Sequence, residues 1–255
     1  MQITDAQLER YARHIVLREI GGAGQARLLG AHVAIIGAGG IGCPAIAYLA
    51  AAGVGTLRVI DPDIVSLSNL QRQILFGAAD IGTPKAEAAR AAAHRINPDC
   101  HVIPINERLT AENARVLLRD ADVILDGCDN FETRLAVSDA ATALRIPLVT
   151  AAVGQFEGQL GVWRGWEASQ PCYRCLVGND PGQEGQNCAE DGIVGALTGI
   201  IGSMAALEAI RAVVPFGEDA AGQLMIADLL SRRFRTLTMP KEPACSACAA
   251  VALPA

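Results

Sequence analysis

Gly37, Gly39 and Gly42 stand at G-x-G-x-x-G spacing with Gly40 between them, and an acid, Asp61, closes the next apolar run. Glycines so placed allow a tight turn and let backbone amides at a helix N-terminus come up against phosphate oxygens. An acid after the second strand accepts hydrogen bonds from ribose hydroxyls. By itself the pattern indicates a nucleotide. It suits a dinucleotide-dependent dehydrogenase as well as a triphosphate enzyme, and a ligand-free glycine turn packing helix on sheet is the plain structural alternative.

Ser68-Asn69-Leu70-Gln71-Arg72-Gln73, followed by Lys85, favours the triphosphate. NAD needs no such gathering of Asn69, Arg72, Gln73 and Lys85. Attack at phosphorus puts negative charge on the equatorial oxygens and on the leaving pyrophosphate, and fixed Arg and Lys donors stabilise it. Asp129, in Asp126-Gly127-Cys128-Asp129-Asn130, follows another apolar run and falls on the same sheet edge as the glycine loop. One carboxylate plus phosphate oxygens and water suits Mg²⁺. Asp129 and Asn130 also suit the cap of a helix opening near Phe131, and the two roles are compatible.

Four of the eight cysteines form two Cys-x-x-Cys pairs, Cys172/Cys175 and Cys245/Cys248. Four thiolates suit a closed tetrahedral Zn²⁺ site of structural type, with disulfides as the alternative. Cys188 stands apart in the polar run Gly185-Gln186-Asn187-Cys188-Ala189-Glu190-Asp191-Gly192. It is either a thiol activated by a following helix N-terminus or an incidental loop cysteine. Cys43, Cys100 and Cys128 fall in apolar contexts and read as core residues.

The elements that must position these groups follow from periodicity. Thr4 to Glu19 has helical spacing with Thr4 as cap. From residue 31 strand, turn and helix alternate: strands 32–36, 56–60, 101–105, 122–126 and 147–150, with helices 41–52, 85–95, 111–119 and 132–144 between them. Such alternation predicts a Rossmann-like α/β fold, a mostly parallel sheet with helices on both faces. Beyond residue 151 the pattern changes to a strand at 158–163, a loop at 171–192, a buried helix at 193–213 and two β-like runs within 223–238. The expectation is one domain over 1–255: a helical segment 1–30, a nucleotide-binding core 31–150, and a mixed, antiparallel C-terminal lobe 151–255 holding the zinc site.

The 255 residues suffice for a sizeable core, and 51% hydrophobic with 19% charged residues excludes a disordered chain. A net charge of −6 without a basic run argues against nucleic-acid binding. The N-terminus has no signal-peptide pattern, and the longest apolar stretch, Ile193 to Leu207, is too short for a bilayer, so a cytoplasmic, non-membrane protein is expected.

With these residues laid out, the chain resembles the MoeB/ThiF/HesA family, bacterial relatives of ubiquitin-activating enzymes. The resemblance rests on Arg10-Tyr11-Ala12-Arg13-His14, the Gly37 loop with Asp61, residues 68–73, Lys85, Cys128-Asp129-Asn130, both cysteine pairs, and Cys188 ahead of Gly192-Ile193-Val194-Gly195. It implies ATP-dependent adenylation of the C-terminal glycine of a small ubiquitin-like sulfur carrier ending in Gly-Gly, in preparation for a thiocarboxylate. By resemblance, Asp61 holds the ribose, Asn69, Arg72 and Lys85 hold phosphates, Asp129 holds Mg²⁺, and Arg13 reaches the neighbouring site of a homodimer. In the thiazole-type members the cysteine at the position of Cys188 is implicated in sulfur transfer. The expected carrier is that of molybdopterin synthase, with that of thiamine thiazole synthesis as alternative. Sulfur is expected from a separate sulfurtransferase or cysteine desulfurase. Readings of other classes are an NAD-dependent oxidoreductase and a zinc-stabilised scaffold.

Overall fold

The structure is a computed structural model, and it describes residues 3–179 and 192–249. β1 (His32–Ile36) is apolar and buried from Val33 onward because both its faces are covered. Val33 and Ile35 enter one core, Ala34 and Ile36 the other. β2 (Thr56–Ile60), β3 (His101–Ile105), β4 (Val123–Asp126) and β5 (Leu148–Gly154) complete a parallel half-sheet. Its order is β3-β2-β1-β4-β5. The chain therefore winds outward from β1 to β3 and returns to β4, leaving a crevice beyond the carboxyl ends of β1 and β4, where such sheets bind ligands.

β6 (Glu157–Trp163), β7 (Gln223–Asp228) and β8 (Arg233–Thr238) extend the same sheet in antiparallel fashion. The expected C-terminal lobe is thus the continuation of one eight-stranded sheet. Gln155, at positive φ, makes the tight β5–β6 turn.

The helices are α1 (Asp5–Arg10), α2 (Ala12–Ile15), α3 (Gly21–Gly30), α4 (Gly42–Ala51), α5 (Lys85–Ile96), α6 (Ala114–Leu118), α7 (Phe131–Leu144), α8 (Tyr173–Val177) and α9 (Gly195–Val213). Thr4 caps α1 in a capping box with Gln7, as its sequence suggests. The expected single N-terminal helix breaks at Tyr11, whose hydroxyl accepts from buried Asn97 and whose ring lies against Gly53. That tertiary anchor overrides helix continuity. The helix expected over 111–119 shortens to α6, with Asn113 folded back to accept from Thr110 N and donate to Arg108 O.

α9 packs on α4 and on β4, β5 and β6, while α6 and α7 cover the opposite face. Only one side of α9 is buried; Ile200 and Leu207 remain exposed, so it is a half-buried helix and not the buried one expected. It is the single helix among the described residues that is long and apolar enough to cross a membrane, and its packing into this core accounts for that composition. Each fully buried Leu or Ile of these cores contributes roughly 1.5–3 kcal/mol.

Candidate active site

The glycine loop leaves β1 at Gly37, whose φ of 89° is left-handed and whose amide donates to Ile60 O at 2.9 Å. A Cβ on Gly42 would lie 1.9 Å from the Gly37 carbonyl oxygen, and one on Gly40 would lie 2.9 Å from Thr198 of α9. Those two glycines are required by the protein's own packing. Gly39 differs: the nearest atom to its missing Cβ is Gln73 Nε2, at 3.9 Å, and the position opens into the cleft. Here the absent side chain leaves room for a ligand to approach the backbone.

Asp61, at the end of β2, is 4% exposed. Its Oδ2 accepts from Ala38 N at 2.7 Å and its Oδ1 from Asp63 N at 2.9 Å. Burial pushes its pKa up, with the charge of Lys85 and the two amides pulling it back. Lys85 opens α5, and its buried Nζ pairs with Asp63 Oδ2 at 2.8 Å. Asn69 ends a short 3-10 turn, Leu67–Asn69, and its Oδ1 accepts from Ser66 N, so this expected phosphate ligand also has a local structural role. Arg72 folds over the same turn and donates to Ser68 O at 3.0 Å. Gln73 is buried, and its Oε1 has no hydrogen-bond partner among the described residues.

Across the crevice, the Gly127–Asn130 loop touches the glycine loop, since a Cβ on Gly37 would sit 3.2 Å from Gly127 O. Asn130 caps α7 by accepting from Thr133 N at 2.9 Å. The cap is therefore Asn130 alone, and the exposed Asp129 is free to face the cleft it lines. Cys128 is half-buried against the core under α7, and burial together with the Asp126 charge raises its thiol pKa well above the ordinary value, which disfavours the nucleophilic thiolate.

The structure thus gathers Gly37, Gly39, Gly40, Asp61, Asn69, Arg72, Gln73, Lys85 and Asp129 around one cleft of about 740 Å³. That size is ample for a nucleotide and the end of a peptide. Gly42 lies behind the loop it closes. Arg13 is exposed on α2 and is not part of the lining, while its neighbour His14 meets Gln25 Oε1 through Nδ1 at 3.0 Å. Cys188 lies outside the described residues.

Cys172, Cys175, Cys245 and Cys248 bring their sulfurs within 4.8 Å of one another. The separations of 3.6 Å for Cys172–Cys245, 3.5 Å for Cys175–Cys248 and 3.9 Å for Cys172–Cys175 are too long for disulfides. Tetrahedral zinc with Zn–S of about 2.3 Å places its sulfurs roughly 3.8 Å apart, so the four thiols fit that ion. Arg174 secures this knuckle to α7 through Nε and Nη2 on the two oxygens of Asp139, at 2.7 and 2.8 Å.

Sequence reasoning passed over Arg134, Asp63 and Thr198. Arg134 had a legible signal, a cation on the helix face that carries buried Val137 and Ala141.

The pattern of the ThiF family matches residues 11–247. The chain belongs to the ThiF family. It is 42% identical over 252 residues to a sulfur carrier protein adenylyltransferase of Thermus thermophilus, covering 97% of this chain and 93% of that protein. It is 39% identical over 247 residues to the molybdopterin-synthase adenylyltransferase of Escherichia coli, covering 97% and 98%. The adenylyltransferase and sulfurtransferase MOCS3 of Drosophila yakuba is 43% identical over 251 residues, which cover 98% of this chain and 55% of the relative. Among solved structures, Escherichia coli MccB with MccA-N7isoASN superposes with a TM-score of 0.82 at 22% identity, over 97% of this chain and 76% of that one. That likeness supports the fold alone. This ThiF-family chain is an adenylyltransferase by class, which sets aside the dehydrogenase and the scaffold.

Proposed function

We propose that this ThiF-family enzyme adenylates the C-terminal glycine of a small ubiquitin-like sulfur carrier, preferentially that of molybdopterin synthase. A carboxylate is already a nucleophile, so no base is required. One of its oxygens attacks the α-phosphorus of ATP, the bond to the bridging oxygen breaks, and pyrophosphate leaves with that electron pair, giving the acyl-adenylate. Arg72 and Lys85 would balance the charge on the phosphates, Asn69 and Gln73 would add donors, and Asp61 would hold the ribose, so positioning and electrostatics carry the rate. Asp129 would hold a magnesium ion that draws charge from the phosphates. Its carboxylate, exposed in the cleft opposite Arg72 and Lys85, fits that ion by chemistry and placement.

The observation that carries this reading is the cleft's course. From the nucleotide loops it runs onto Glu157 and Gln159 of β6 and Leu224 of β7. By register Ile226, Arg235 and Leu237 share that sheet face. Helix α9 covers the other face of β6, and β8 is exposed throughout. An open face with apolar Leu237 and basic Arg233 and Arg235 suits the body of an acidic carrier, whose tail would follow the cleft to the phosphates. Arg13 would complete the site of the second copy in a homodimer. The thiocarboxylate would follow with sulfur from a separate sulfurtransferase or cysteine desulfurase.

ATP–pyrophosphate exchange with purified carriers ending in Gly-Gly tests the reading. Exchange that requires the molybdopterin-synthase carrier and Mg²⁺ is expected. Exchange with the thiazole-synthesis carrier alone would reassign the pathway, and none with either, in folded zinc-loaded protein, would overturn the adenylation.

A further inference from the structure

The loop that presents Asp129 is held by two buried charges. The Cys128 amide donates to Asp126 Oδ1 at 3.0 Å. The Cys128 carbonyl accepts from Arg134 Nη2, which also donates to Ala151 O of β5 at 2.8 Å. Arg134 Nη1 faces Asp126 Oδ2 at 3.7 Å, and that oxygen has no hydrogen bond among the described residues. Asp126 is 0% and Arg134 6% exposed. The two peptides that meet at Cys128 are thus each held, the N–H of Gly127–Cys128 by the acid ending β4 and the C=O of Cys128–Asp129 by the arginine in the first turns of α7.

Packing alone does not call for such an arrangement. Taking a carboxylate and a guanidinium out of water costs several kcal/mol per ion, and an apolar pair of similar size would join helix to sheet at least as well. A planar guanidinium instead supplies direction, because its donors leave in fixed orientations. Tyr173, which opens α8 directly after Cys172, is buried in the core that α7 covers and lines the same cleft as Arg134.

We propose that Arg134 is a positioning residue for nucleotide activation, fixing the Cys128–Asp129 peptide plane and thereby aiming the Asp129 carboxylate into the cleft. This rests on the reading of Asp129 as the magnesium ligand. Groups that orient a metal ligand are worth roughly 10–100-fold in metal affinity. Arg134 would accordingly act on the Mg²⁺-dependent part of ATP binding and leave the Mg²⁺-independent part unchanged.

Calorimetric titration of ATP into the full chain, in chelator-free buffer with and without Mg²⁺, separates the two. In the native protein Mg²⁺ is expected to tighten ATP binding, and Asp129→Asn to remove the gain. Arg134→Lys, which keeps the charge and loses the fork, is expected to cut that gain about tenfold while ATP affinity without Mg²⁺ stays within about twofold. Equal weakening with and without Mg²⁺ would mean a structural role only, and an unchanged gain would also overturn the proposal. Should Arg134→Lys not fold, Arg134→Gln decides by the same titrations: a gain reduced more than the Mg²⁺-free affinity supports it, an intact gain overturns it. A native protein indifferent to Mg²⁺ would instead sink the metal assignment of Asp129.

Discussion

The Ala38 amide donates to Asp61 Oδ2 at 2.7 Å, which ties the acid at the end of β2 to the glycine loop at the end of β1. One carboxylate therefore shapes the phosphate loop and, in the proposed reading, would also hold the ribose. Asp61→Ala is expected to weaken ATP binding by about 100-fold, which at about 2.7 kcal/mol lies near the upper end of a charge-assisted hydrogen bond of roughly 1.5–3 kcal/mol. Asp61→Asn, which keeps an acceptor for Ala38, should lose less, and calorimetric ATP titrations of both variants check the order.

Burial raises the Asp61 pKa above the ordinary 3.8, which moves the acid limb of nucleotide binding upward with it. ATP affinity should fall as pH drops through that raised value, and Asp61→Asn should flatten the limb. The stability effect has the opposite sign. Between 3.8 and the raised value the native state holds more protons than the unfolded one, so this group's contribution to stability falls as pH rises through that window.

Gly42→Ala should abolish nucleotide binding, because its Cβ meets the Gly37 carbonyl oxygen at 1.9 Å and backbone cannot step aside as a side chain can. A cost of roughly 1–3 kcal/mol in stability is expected. Gly22→Ala is the control, since nothing lies within 4 Å of its Cβ inside α3, and it should gain about 0.5–1 kcal/mol. Denaturant melts of the two variants report the contrast.

Arg13 and Lys85 provide a test of site sharing. Each substitution to Ala should lower exchange activity, Lys85→Ala by roughly 100- to 1000-fold. If Arg13 serves the second copy, mixing the two inactive proteins restores about a quarter of native activity, because half the dimers are mixed and each has one intact site. If it serves its own cleft, mixing restores nothing.

Removing the zinc that the four cysteines fit should loosen α8 while Arg174 still grips Asp139. One zinc per chain is expected by metal analysis, lost in Cys245→Ser with a fall in melting temperature. A full thermal midpoint without the metal would refute a structural ion.

Much of this was legible in the sequence because the informative groups are close together along the chain. The apolar run of β1, the glycines after it and the two cysteine pairs announce themselves at short spacing. Arg134 shows in the sequence only as a cation on the buried face of its helix; that it joins the Cys128 carbonyl to that of Ala151 on β5 depends on the fold. The break at Tyr11 was hidden for the same reason, since it is Asn97 that claims the hydroxyl. Asn69, an expected phosphate ligand, lines the cleft, and its sequence did not show that its side-chain oxygen also serves its own turn.

The single sheet from β3 to β8 also acts as a ruler. Strands lie about 4.8 Å apart, so a carrier resting on β7 and β8 sits roughly 14–19 Å from the end of β4. An extended chain covers about 3.3–3.6 Å per residue, and a tail of about four to six residues spans that interval. Carriers with a shorter free tail would dock and leave their terminal carboxylate out of reach of the α-phosphorus, so the number of strands sets a minimum length for the substrate's tail.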